Sequence, residues 1–539
     1  MEKLIIENFR NIKDRITIDM AKINILTGPN NSGKSNILKL LILLNDYLNS
    51  DNHFILSFNG INSSKHKIDC YQNAIHWQNW KKNKSFKVSF VKGIYEISFE
   101  FVPLSSSNKE DKSVEIQKGR LFCFEFINTR DNSKLSIKHN SKDDYTFFAD
   151  HSIIADLWIG RDYDKNALAT KSRLESKERM YIKFIEDSII KTRNLKKSDK
   201  AFRKELEQIL FYSGFLQSIK FKLTEYRTPK KYTPMSAPIN MHFQYSNRKL
   251  KKLQIPIIIR VILDEYFNSE IIKNDSSSGG LNLGSEIINL IRRLEAFVNF
   301  KITHLNPDRA NQSRIHLNSE NTTEINRIIS SFKINPFKNG GQADEFLTRW
   351  MKTLKIGNKY RFRDLEGIAT VIEIKDEFGW HNLVDKGFGA GQIFSVLIRI
   401  AEYIEKKPPS PGRYYSAAPD FPTIIAIEEP EANLHPKFQS YLADIFYDAT
   451  EKSNLQFIIE THSEYIIRRF QYLVAVNDNN LVNTNIKILY FQDPEQMTEC
   501  TSQAYDLSIR ADGMLTEDFG PGFFDEATRL TIDLLKKQN

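Results

Sequence analysis

The segment Gly28–Ser35, GPNNSGKS, contains the first residues whose types and spacing could do chemistry. It matches the pattern G-x-x-x-x-G-K-[ST], with a strand pattern before it and a helix pattern after it. The glycines let backbone N–H groups surround phosphates, Lys34 can reach the β- and γ-phosphates, and the Ser35 hydroxyl can bind Mg²⁺. The pattern therefore predicts a nucleotide phosphate loop. Its predicted contacts are Asn30, Asn31, Ser32, Gly33, Lys34, Ser35 and Asn36.

A cluster of carboxylates follows the segment Thr423–Ile427, whose mostly β-branched residues predict a buried strand. Glu428, Glu429 and Glu431 stand at the carboxyl end of this strand, where the ligands of parallel sheets gather. One acid there can hold Mg²⁺, and a second can orient or deprotonate the attacking water. We predict that Glu428 serves the metal and Glu429 serves the water. The alternative is a strand end whose acids are merely solvated.

Two further segments could contact a phosphate. Phe457–Ile459 predicts another buried strand, which ends at Glu460, Thr461 and His462. A histidine at this place can sense a γ-phosphate, although a lone histidine is more often structural. Gly387–Gln392, GFGAGQ, is predicted to form a glycine-rich turn that opens a helix, which suits an anion. The predicted catalytic residues are Lys34, Glu429 and His462.

Strand and helix patterns must position these residues. Near the start, KLIIENF and KINILTG predict two strands, and a helix is expected from Lys34 to about Leu48. Residues 85–150 predict an antiparallel sheet, and residues 165–300 are mostly helical in pattern. After residue 301 strands alternate with helices, which predicts a parallel sheet. We expect the N-terminal strands to share it, with KILYFQDPEQ as its last strand.

The same patterns predict three domains. Residues 1–160 form an N-terminal lobe with the phosphate loop and a β subdomain. Residues 161–300 form a helical insertion, which contains a flexible loop at 274–286 by composition. Residues 301–539 form a C-terminal lobe with the glycine-rich turn, the acidic strand and the histidine.

The composition is ordinary for a globular protein, with 41% hydrophobic and 27% charged residues. No apolar run approaches the ~18 residues that span a bilayer, and the N-terminus lacks the pattern of a signal peptide. Three widely spaced cysteines exclude a disulfide framework and a four-cysteine zinc site. We therefore expect a cytoplasmic protein without a membrane partner.

The net charge of +9 is concentrated in one stretch, residues 220–252. Nine cations stand there against the single acid Glu225, which leaves +8. Aromatic residues lie between the cations, and this combination is typical of a nucleic-acid surface. DNA or another nucleic acid is therefore a candidate partner of this stretch. The alternatives are a solvated basic surface and a surface that faces an acidic protein.

Taken in chain order, GPNNSGKS, GFGAGQ, IEEPEANLHP and ETHS resemble the ABC/SMC-like ATPases. They look most like the AAA-type ATPase part of the OLD (overcoming lysogenization defect) family and its relatives in bacterial antiphage defence. The resemblance implies an α/β fold, a P-loop NTPase of the ABC/SMC-like head type, with an antiparallel β subdomain and an inserted, mostly helical region. It also implies hydrolysis of ATP to ADP and phosphate, with ATP and Mg²⁺ as cofactors.

In that family two heads dimerise head to tail, and each ATP lies between the phosphate loop of one head and a signature loop of the other. Phe388–Gln392, FGAGQ, looks like that loop, and we call it the signature segment. The resemblance implies that Gly389, Gly391 and Gln392 contact the ATP of the other subunit. Gly389 stands where the family has a serine, so a hydroxyl contact is absent there. Arg10 is expected to contact the nucleotide, as the matching arginine does in SMC-like heads.

Residues 463–539 contain no D-x-D pair, so we expect no fused nuclease of the kind that many OLD proteins carry. The chain then looks like the ATPase subunit of a two-component system, such as Septu or a retron-linked Septu-like module. The leading hypothesis is a sensor ATPase that forms a homodimer or higher oligomer and controls a separate nuclease or toxin. The alternative is an SMC-like DNA-binding ATPase of repair or recombination. The large charged insertion disfavours a transporter subunit.

Overall fold

A computed structural model describes residues 1–104, 118–141, 144–150, 239–244, 254–273, 280–298, 301–307, 313–318, 324–405, 422–476, 485–492, 503–520 and 526–538, with single residues or pairs between 153 and 187. Its first compact unit comprises Met1–Phe147 and Met241–Asn539, and its second comprises Phe148–Asn240. All sites described below lie in the first unit. The cations predicted to bind nucleic acid, between residues 220 and 252, lie outside the described residues.

Nineteen strands are described. They are β1 Lys3–Glu7, β2 Ile16–Asp19, β3 Ile23–Thr27, β4 Ile55–Leu56, β5 Phe86–Lys92, β6 Tyr95–Pro103, β7 Gly119–Asn128, β8 Lys134–Ser141, β9 Asp144–Ala149, β10 Ile239–Gln244, β11 Ile302–Leu305, β12 His316–Leu317, β13 Lys359–Leu365, β14 Ala369–Asp376, β15 Gly379–Asn382, β16 Thr423–Glu428, β17 Leu455–Glu460, β18 Ile486–Phe491 and β19 Ala504–Leu507.

Ten α-helices are described with them. They are α1 Lys34–Leu48, α2 Ser63–His66, α3 Ile255–Lys273, α4 Gly280–Val298, α5 Glu324–Ile334, α6 Gln342–Thr353, α7 Phe388–Glu405, α8 Pro436–Lys452, α9 Glu464–Val476 and α10 Glu526–Gln538. Short 3-10 helices span Gln72–Ala74 and Leu383–Lys386. Within the described part of the chain, no helix is both long and apolar enough to cross a membrane.

A central six-stranded sheet has the order β11-β16-β17-β3-β18-β19. Its first five strands are parallel, and β19 pairs with β18 in the antiparallel sense. Strand β17 is buried along its whole length, as expected where helices cover both faces of a parallel sheet. The carboxyl ends of β3, β16 and β17 therefore meet at one edge, which is the usual place for a ligand. We call it the phosphate-loop edge.

A second, antiparallel sheet holds the phosphate-loop helix from its far end. Its strand order is β10-β9-β8-β7-β6-β5-β1-β2, with β4 paired to β7. Tyr47, near the end of α1, is buried, and its ring meets Phe101 edge-on at a centroid distance of 4.9 Å. Its hydroxyl donates a hydrogen bond to the carbonyl of His53. Truncation of a buried aromatic side chain of this kind costs about 3–5 kcal/mol, so Tyr47 anchors α1 to the sheet.

The signature segment follows a small third sheet, with the order β12-β14-β13 and β15 paired to β14. The 3-10 helix Leu383–Lys386 leads from β15 to Gly387, whose φ of 90° favours glycine. Helix α7 begins directly afterwards, at Phe388. Its apolar side chains, including Phe394 and Leu397, are buried in the same core as β16 and β17. The packing of α7 thus determines where the signature segment lies.

The described elements confirm the predicted α/β fold class, with a mostly parallel central sheet, the loop Gly28–Ser35 between β3 and α1, and an antiparallel sheet. Helices α3 and α4 lie in the insertion that was predicted to be mostly helical. The predicted limits of the three domains stay a prediction. Helix α1 has the predicted bounds, Lys34–Leu48.

Several local predictions were wrong. Strand β2 was missed, and β1 joins the antiparallel sheet while only β3 joins the parallel one. Helix α4 includes residues 280–286 of the predicted loop, because continuation of a packed helix outweighs weak local propensity. The glycine-rich turn is only Gly387, since the helix starts at Phe388. Strand β18 is followed by one more strand, β19, at the sheet edge.

Candidate functional site

The phosphate loop connects β3 to α1 and depends on two glycines. Gly28 has a φ of 138°, and a Cβ atom there would lie 2.3 Å from the carbonyl oxygen of Phe491. Gly33 has a φ of 107° at the N-terminus of α1. Both conformations are strained for other residues. Asn31, between them, has a φ of 63°, which asparagine tolerates better than most residues. The sequence thus encodes a tight loop between β3 and α1.

Lys34 lies inside this loop. Its ammonium group donates hydrogen bonds to the carbonyls of Gly28, at 3.0 Å, and Pro29, at 2.7 Å. Burial lowers the pKa of Lys34, and the nearby carboxylates of Glu460 and Glu429 partly oppose that shift. The positive charge is therefore held beside two acids from neighbouring strand ends, at the place where a phosphate would bring negative charge.

The next residue, Ser35, donates its hydroxyl hydrogen bond to Glu460 Oε1 at 2.7 Å. The other carboxylate oxygen of Glu460, Oε2, is buried and has no hydrogen-bond partner among the described residues. Burial raises the pKa of Glu460, as do the neighbouring acids Glu428 and Glu429. Burial of an ionised carboxylate with one unpartnered oxygen raises the free energy of the folded chain. A divalent cation bound beside Ser35 would offset that cost, because it would coordinate the hydroxyl and the carboxylate.

Glu428, predicted to hold the metal, pairs in register with Glu460 but lies one strand farther from the phosphate loop. Its Oε1 is 2.8 Å from Nε2 of His304, a buried residue of β11. Glu429 is exposed and has a φ of 44°, an uncommon conformation for glutamate. Its backbone N–H donates to the carbonyl of Glu460 at 2.8 Å. The backbone thus turns the Glu429 side chain out of the sheet, toward the solvent side of the edge.

His462 follows Thr461 at the end of β17. Its backbone N–H donates to Oε1 of Glu431 at 2.8 Å, which ties the acidic loop to the histidine turn. Burial raises the pKa of Glu431, and its Oε2 is buried without a hydrogen-bond partner in the described part of the chain. Burial and then the charge of Lys34 lower the pKa of His462, while Glu429 raises it. The net shift favours the neutral imidazole.

The signature segment contacts the acidic loop of its own chain. Gln392 is buried, and its Nε2 donates to the carbonyl of Glu429 at 3.5 Å. Asn433 donates to Gln392 Oε1 at 3.3 Å. A Cβ atom on Gly389 would lie 2.7 Å from the carbonyl oxygen of Asn433. Phe388, at the start of the segment, is 64% exposed. The segment is thus packed on one side and open on the other.

The remaining predicted contacts surround the loop. Arg10 lies half-buried with its Nε buried and without a hydrogen-bond partner among the described residues, and burial lowers its pKa. Its neighbour Asn11 donates to the carbonyl of Asn31 at 3.2 Å. Ser32 and Asn36 are buried, whereas Asn30 is exposed. The predicted residues of the phosphate loop, the acidic strand and the histidine strand are therefore together at one edge.

Four site residues were not assigned by the sequence. Glu460 and Glu431 were visible as acids at strand ends, and Glu460 stands directly before Thr461 and His462, which is the signal that could have identified it. His304 gave no signal, because its partner Glu428 is 124 positions away. Gln503 gave none either. Its Nε2 donates to the carbonyl of Ser32 at 3.1 Å and so braces the phosphate loop.

Residues 1–467 match a protein-family model, AAA_15, described as an AAA ATPase domain. No curated protein matches the sequence. Among solved structures, the chain is similar to an Smc head domain with an extended coiled coil, bound to the C-terminal domain of ScpA, from Pyrococcus furiosus. Identity is 12% over 99% of this chain and 98% of that chain, with a TM-score of 0.32. The SMC head domain from Thermotoga maritima gives 11% identity over 94% and 98%, with a TM-score of 0.31.

Proposed function

The chain belongs to the AAA ATPase domain family, and we propose that it is the ATP-hydrolysing sensor subunit of a bacterial antiphage defence complex. In this proposal, nucleotide-dependent dimerisation of the chain controls a separate effector, a nuclease or a toxin. The ATPase activity follows from the family, and the position of Glu460 between Ser35 and Glu428 is the observation that carries the proposed site.

ATP would lie with its phosphates in the loop Gly28–Ser35. Lys34 would exchange the carbonyls of Gly28 and Pro29 for phosphate oxygens, which suit an ammonium group better because they are charged. Arg10, whose Nε lacks a hydrogen-bond partner within the described chain, would approach the same nucleotide.

Mg²⁺ fits the residues beside the loop. Ser35 and Glu460 would hold it, with Glu428 as the second acid of the pair, and the unpartnered Oε2 of Glu460 is the atom that a cation would satisfy. In the described residues no three His, Cys, Asp or Glu side chains form a metal site by themselves. That fits Mg²⁺, which proteins usually hold with one or two carboxylates and the phosphates of the substrate. The bound cation would neutralise charge on the phosphates.

Glu429 would orient and deprotonate the attacking water. Its side chain is exposed at the edge. Its backbone is held by hydrogen bonds to Glu460 and Gln392, which fixes the position of its Cα atom. His462 follows β17 at the same edge, and an imidazole N–H can donate a hydrogen bond to a phosphate oxygen. We assign it to sensing the γ-phosphate.

Dimerisation would complete the site. The signature segment of a second copy would close over the phosphates through Gly389, Gly391 and Gln392. The exposed Phe388 lies at the start of this segment. Because Gln392 also contacts the backbone of Glu429 in its own chain, closure at this surface would act on the catalytic acid. ATP would thus favour one assembly of the complex, and hydrolysis would favour another.

The test is native mass spectrometry of the tagged chain expressed together with its flanking genes. We expect several copies of the chain in a stoichiometric complex with a second protein. The active site of that protein would identify the reaction that the effector catalyses. A bare homodimer would contradict the effector proposal and favour the SMC-like DNA-binding ATPase.

A second measurement tests whether DNA acts on the chain directly, as in repair or in direct sensing of DNA. In the DNA-binding alternative, DNA stimulates hydrolysis, and changing Lys249, Lys251 and Lys252 to glutamate removes the stimulation. Under the effector proposal, with a protein or small molecule as the trigger, DNA leaves the rate of hydrolysis unchanged.

A further inference from the structure

His304 is a buried histidine of the edge strand β11, which lies beside the acidic strand β16. Its side chain is 3% exposed, and it stands opposite Ala426 in the parallel pair of β11 and β16. Side chains two residues apart on a strand share a face, so Glu428 lies on the same face of the sheet as Ala426 and His304. The histidine therefore reaches the carboxylate diagonally across the two strands, and its Nε2 lies 2.8 Å from Glu428 Oε1.

The hydrogen bond runs from the histidine to the acid. A carboxylate accepts and cannot donate, so His304 Nε2 carries the proton and donates it to Glu428. The other ring nitrogen, Nδ1, is buried without a hydrogen-bond partner among the described residues. An unpartnered buried nitrogen costs free energy, and an apolar side chain would fill the same space without that cost. The contact with Glu428 is therefore what distinguishes a histidine from an apolar residue at this position.

Glu428 has a like-charged neighbour on its other side. It stands directly opposite Glu460 in the register of β16 and β17, and like charges in that relation repel each other. Each acid has its own donor, since Ser35 donates to Glu460 Oε1 at 2.7 Å and His304 donates to Glu428 Oε1. Because β11 and β3 flank the two acidic strands, these donors hold the pair of acids from opposite sides.

A further cation, Lys39, lies half-buried on α1 near both acids. Burial and then the charge of Arg10 lower the pKa of Lys39, while Glu428 and Glu460 raise it. A charge attracts a carboxylate in many orientations, whereas a hydrogen bond requires one direction. Lys39 thus offsets part of the negative charge, and the bond from His304 restricts the orientation of Glu428.

We propose that His304 is a positioning residue of the Mg²⁺ site. Its hydrogen bond opposes the repulsion between Glu428 and Glu460 and keeps the Glu428 carboxylate beside Glu460, where it would serve the cation. Outer partners of this kind typically change metal affinity by roughly 10–100-fold. The inference rests on the proposed function, which makes Glu428 the second acid of the pair.

Binding of Mn²⁺, used in place of Mg²⁺, tests the inference without hydrolysis. Free Mn²⁺ is measured by electron paramagnetic resonance in a titration of the full chain with ADP, with the chain in excess so that the nucleotide is bound. His304→Leu should weaken Mn²⁺ binding at least ~10-fold. Affinity for ADP without metal should stay as in the wild type, because the phosphate loop is unchanged. Wild-type affinity for Mn²⁺ in His304→Leu would overturn the inference.

Two amide variants separate positioning from packing. His304→Gln places an N–H donor near the position of Nε2 and should return the Mn²⁺ affinity close to the wild-type value. His304→Asn carries the same amide on a side chain one carbon shorter, so it should bind Mn²⁺ as weakly as His304→Leu does. This pair gives the answer even if His304→Leu does not fold. Equal Mn²⁺ affinity in the two amide variants would contradict a positioning role.

The matched control is His316, a buried histidine of β12 whose Nδ1 lies 3.1 Å from Asn326 Oδ1. It lies outside the central sheet, and His316→Leu removes a buried ring with a side-chain partner, as His304→Leu does. This variant should keep the wild-type affinity for Mn²⁺. An equal loss in the two leucine variants would mean that Mn²⁺ affinity follows general stability, and the inference would then be wrong.

A double-mutant cycle connects the effect to Glu428. Glu428→Gln should itself weaken Mn²⁺ binding, and His304→Leu added to it should weaken binding less than ~2-fold more, because no metal-binding carboxylate remains to be positioned. Losses that multiply independently would overturn the inference and leave the metal role of Glu428 intact. Wild-type Mn²⁺ affinity in Glu428→Gln would instead remove that role from the proposed function, and the inference with it.

Discussion

The phosphate-loop edge and the signature segment differ in what one chain supplies to each. At the edge, the side chains of Glu460, Glu431 and Ser32 keep buried polar atoms without hydrogen-bond partners in the described chain. At the signature segment, Gln392 is buried and bonded within its own chain, while Phe388 beside it is largely exposed.

Under the proposed function, the two parts of the site bind different partners. Unpartnered polar atoms are costly until a ligand arrives, so the edge is prepared for nucleotide and metal. In the proposed dimer, the exposed ring of Phe388 would face the second copy. The acidic loop joins them, since Glu429 is bonded to Glu460 on one side and to Gln392 on the other.

The largest effect should come from removing the charge inside the edge. Lys34→Ala should weaken ATP binding at least ~30-fold, because it deletes charge-assisted contacts to the phosphates. Equilibrium titration with a fluorescent ATP analogue checks this. The matched control is Lys22→Ala, a half-exposed lysine paired with Glu451 outside the site. Tight binding by Lys34→Ala would end the assignment of the phosphate loop.

Glu429→Gln should separate binding from turnover. We expect the steady-state rate of hydrolysis to fall roughly 100-fold or more, as for loss of a general base, while ATP binding is kept. The stalled protein should accumulate as a closed dimer in size-exclusion chromatography with ATP. Glu428→Gln is the comparison, and we expect it to change the Mg²⁺ dependence instead. If Glu429→Gln turns over normally, the base is Glu428 or Glu431.

Gln392→Ala should lower hydrolysis about 10-fold and leave ATP binding by a single chain intact. Mixing it with Lys34→Ala then distinguishes two roles. If Gln392 acts on the ATP of the other subunit, a mixed dimer has one intact site and activity returns. If Gln392 acts only by holding Glu429 of its own chain, every site keeps one defect and no activity returns.

The smallest effect concerns stability without ligand. The raised pKa of Glu460 means that the folded protein binds its proton more tightly than the unfolded chain, whose value is near 4.5. Stability should therefore fall as the pH rises from about 4.5 through the folded pKa, because a buried carboxyl must then ionise.

Glu460→Gln has no such carboxyl, so its melting temperature without nucleotide should exceed that of the wild type by about 2 °C at pH 8. The difference should vanish below about pH 4.5. Differential scanning fluorimetry measures both. Glu451→Gln, half-exposed, should show no such trend. An equal melting temperature at pH 8 would mean that Glu460 is not strained by ionisation.

Local sequence determined much of this protein. A G-x-x-x-x-G-K-[ST] pattern between a strand and a helix is typical of a phosphate loop. The loop, helix α1 and the acids at the end of β16 lie where they were predicted. The family confirms the predicted ATPase, and the strand order confirms the fold class. These features depend on residues close together in the chain, so spacing alone encodes them.

Tertiary structure decided which distant residues meet. The strand order places β17 between β3 and β16. For this reason the Ser35 hydroxyl donates its hydrogen bond to Glu460, at the end of β17, and not to Glu428, at the end of β16. Only the pairing of β11 with β16 brings His304 to Glu428. Strand order and helix packing depend on the burial of apolar surface across the whole core. A local sequence pattern does not contain that information.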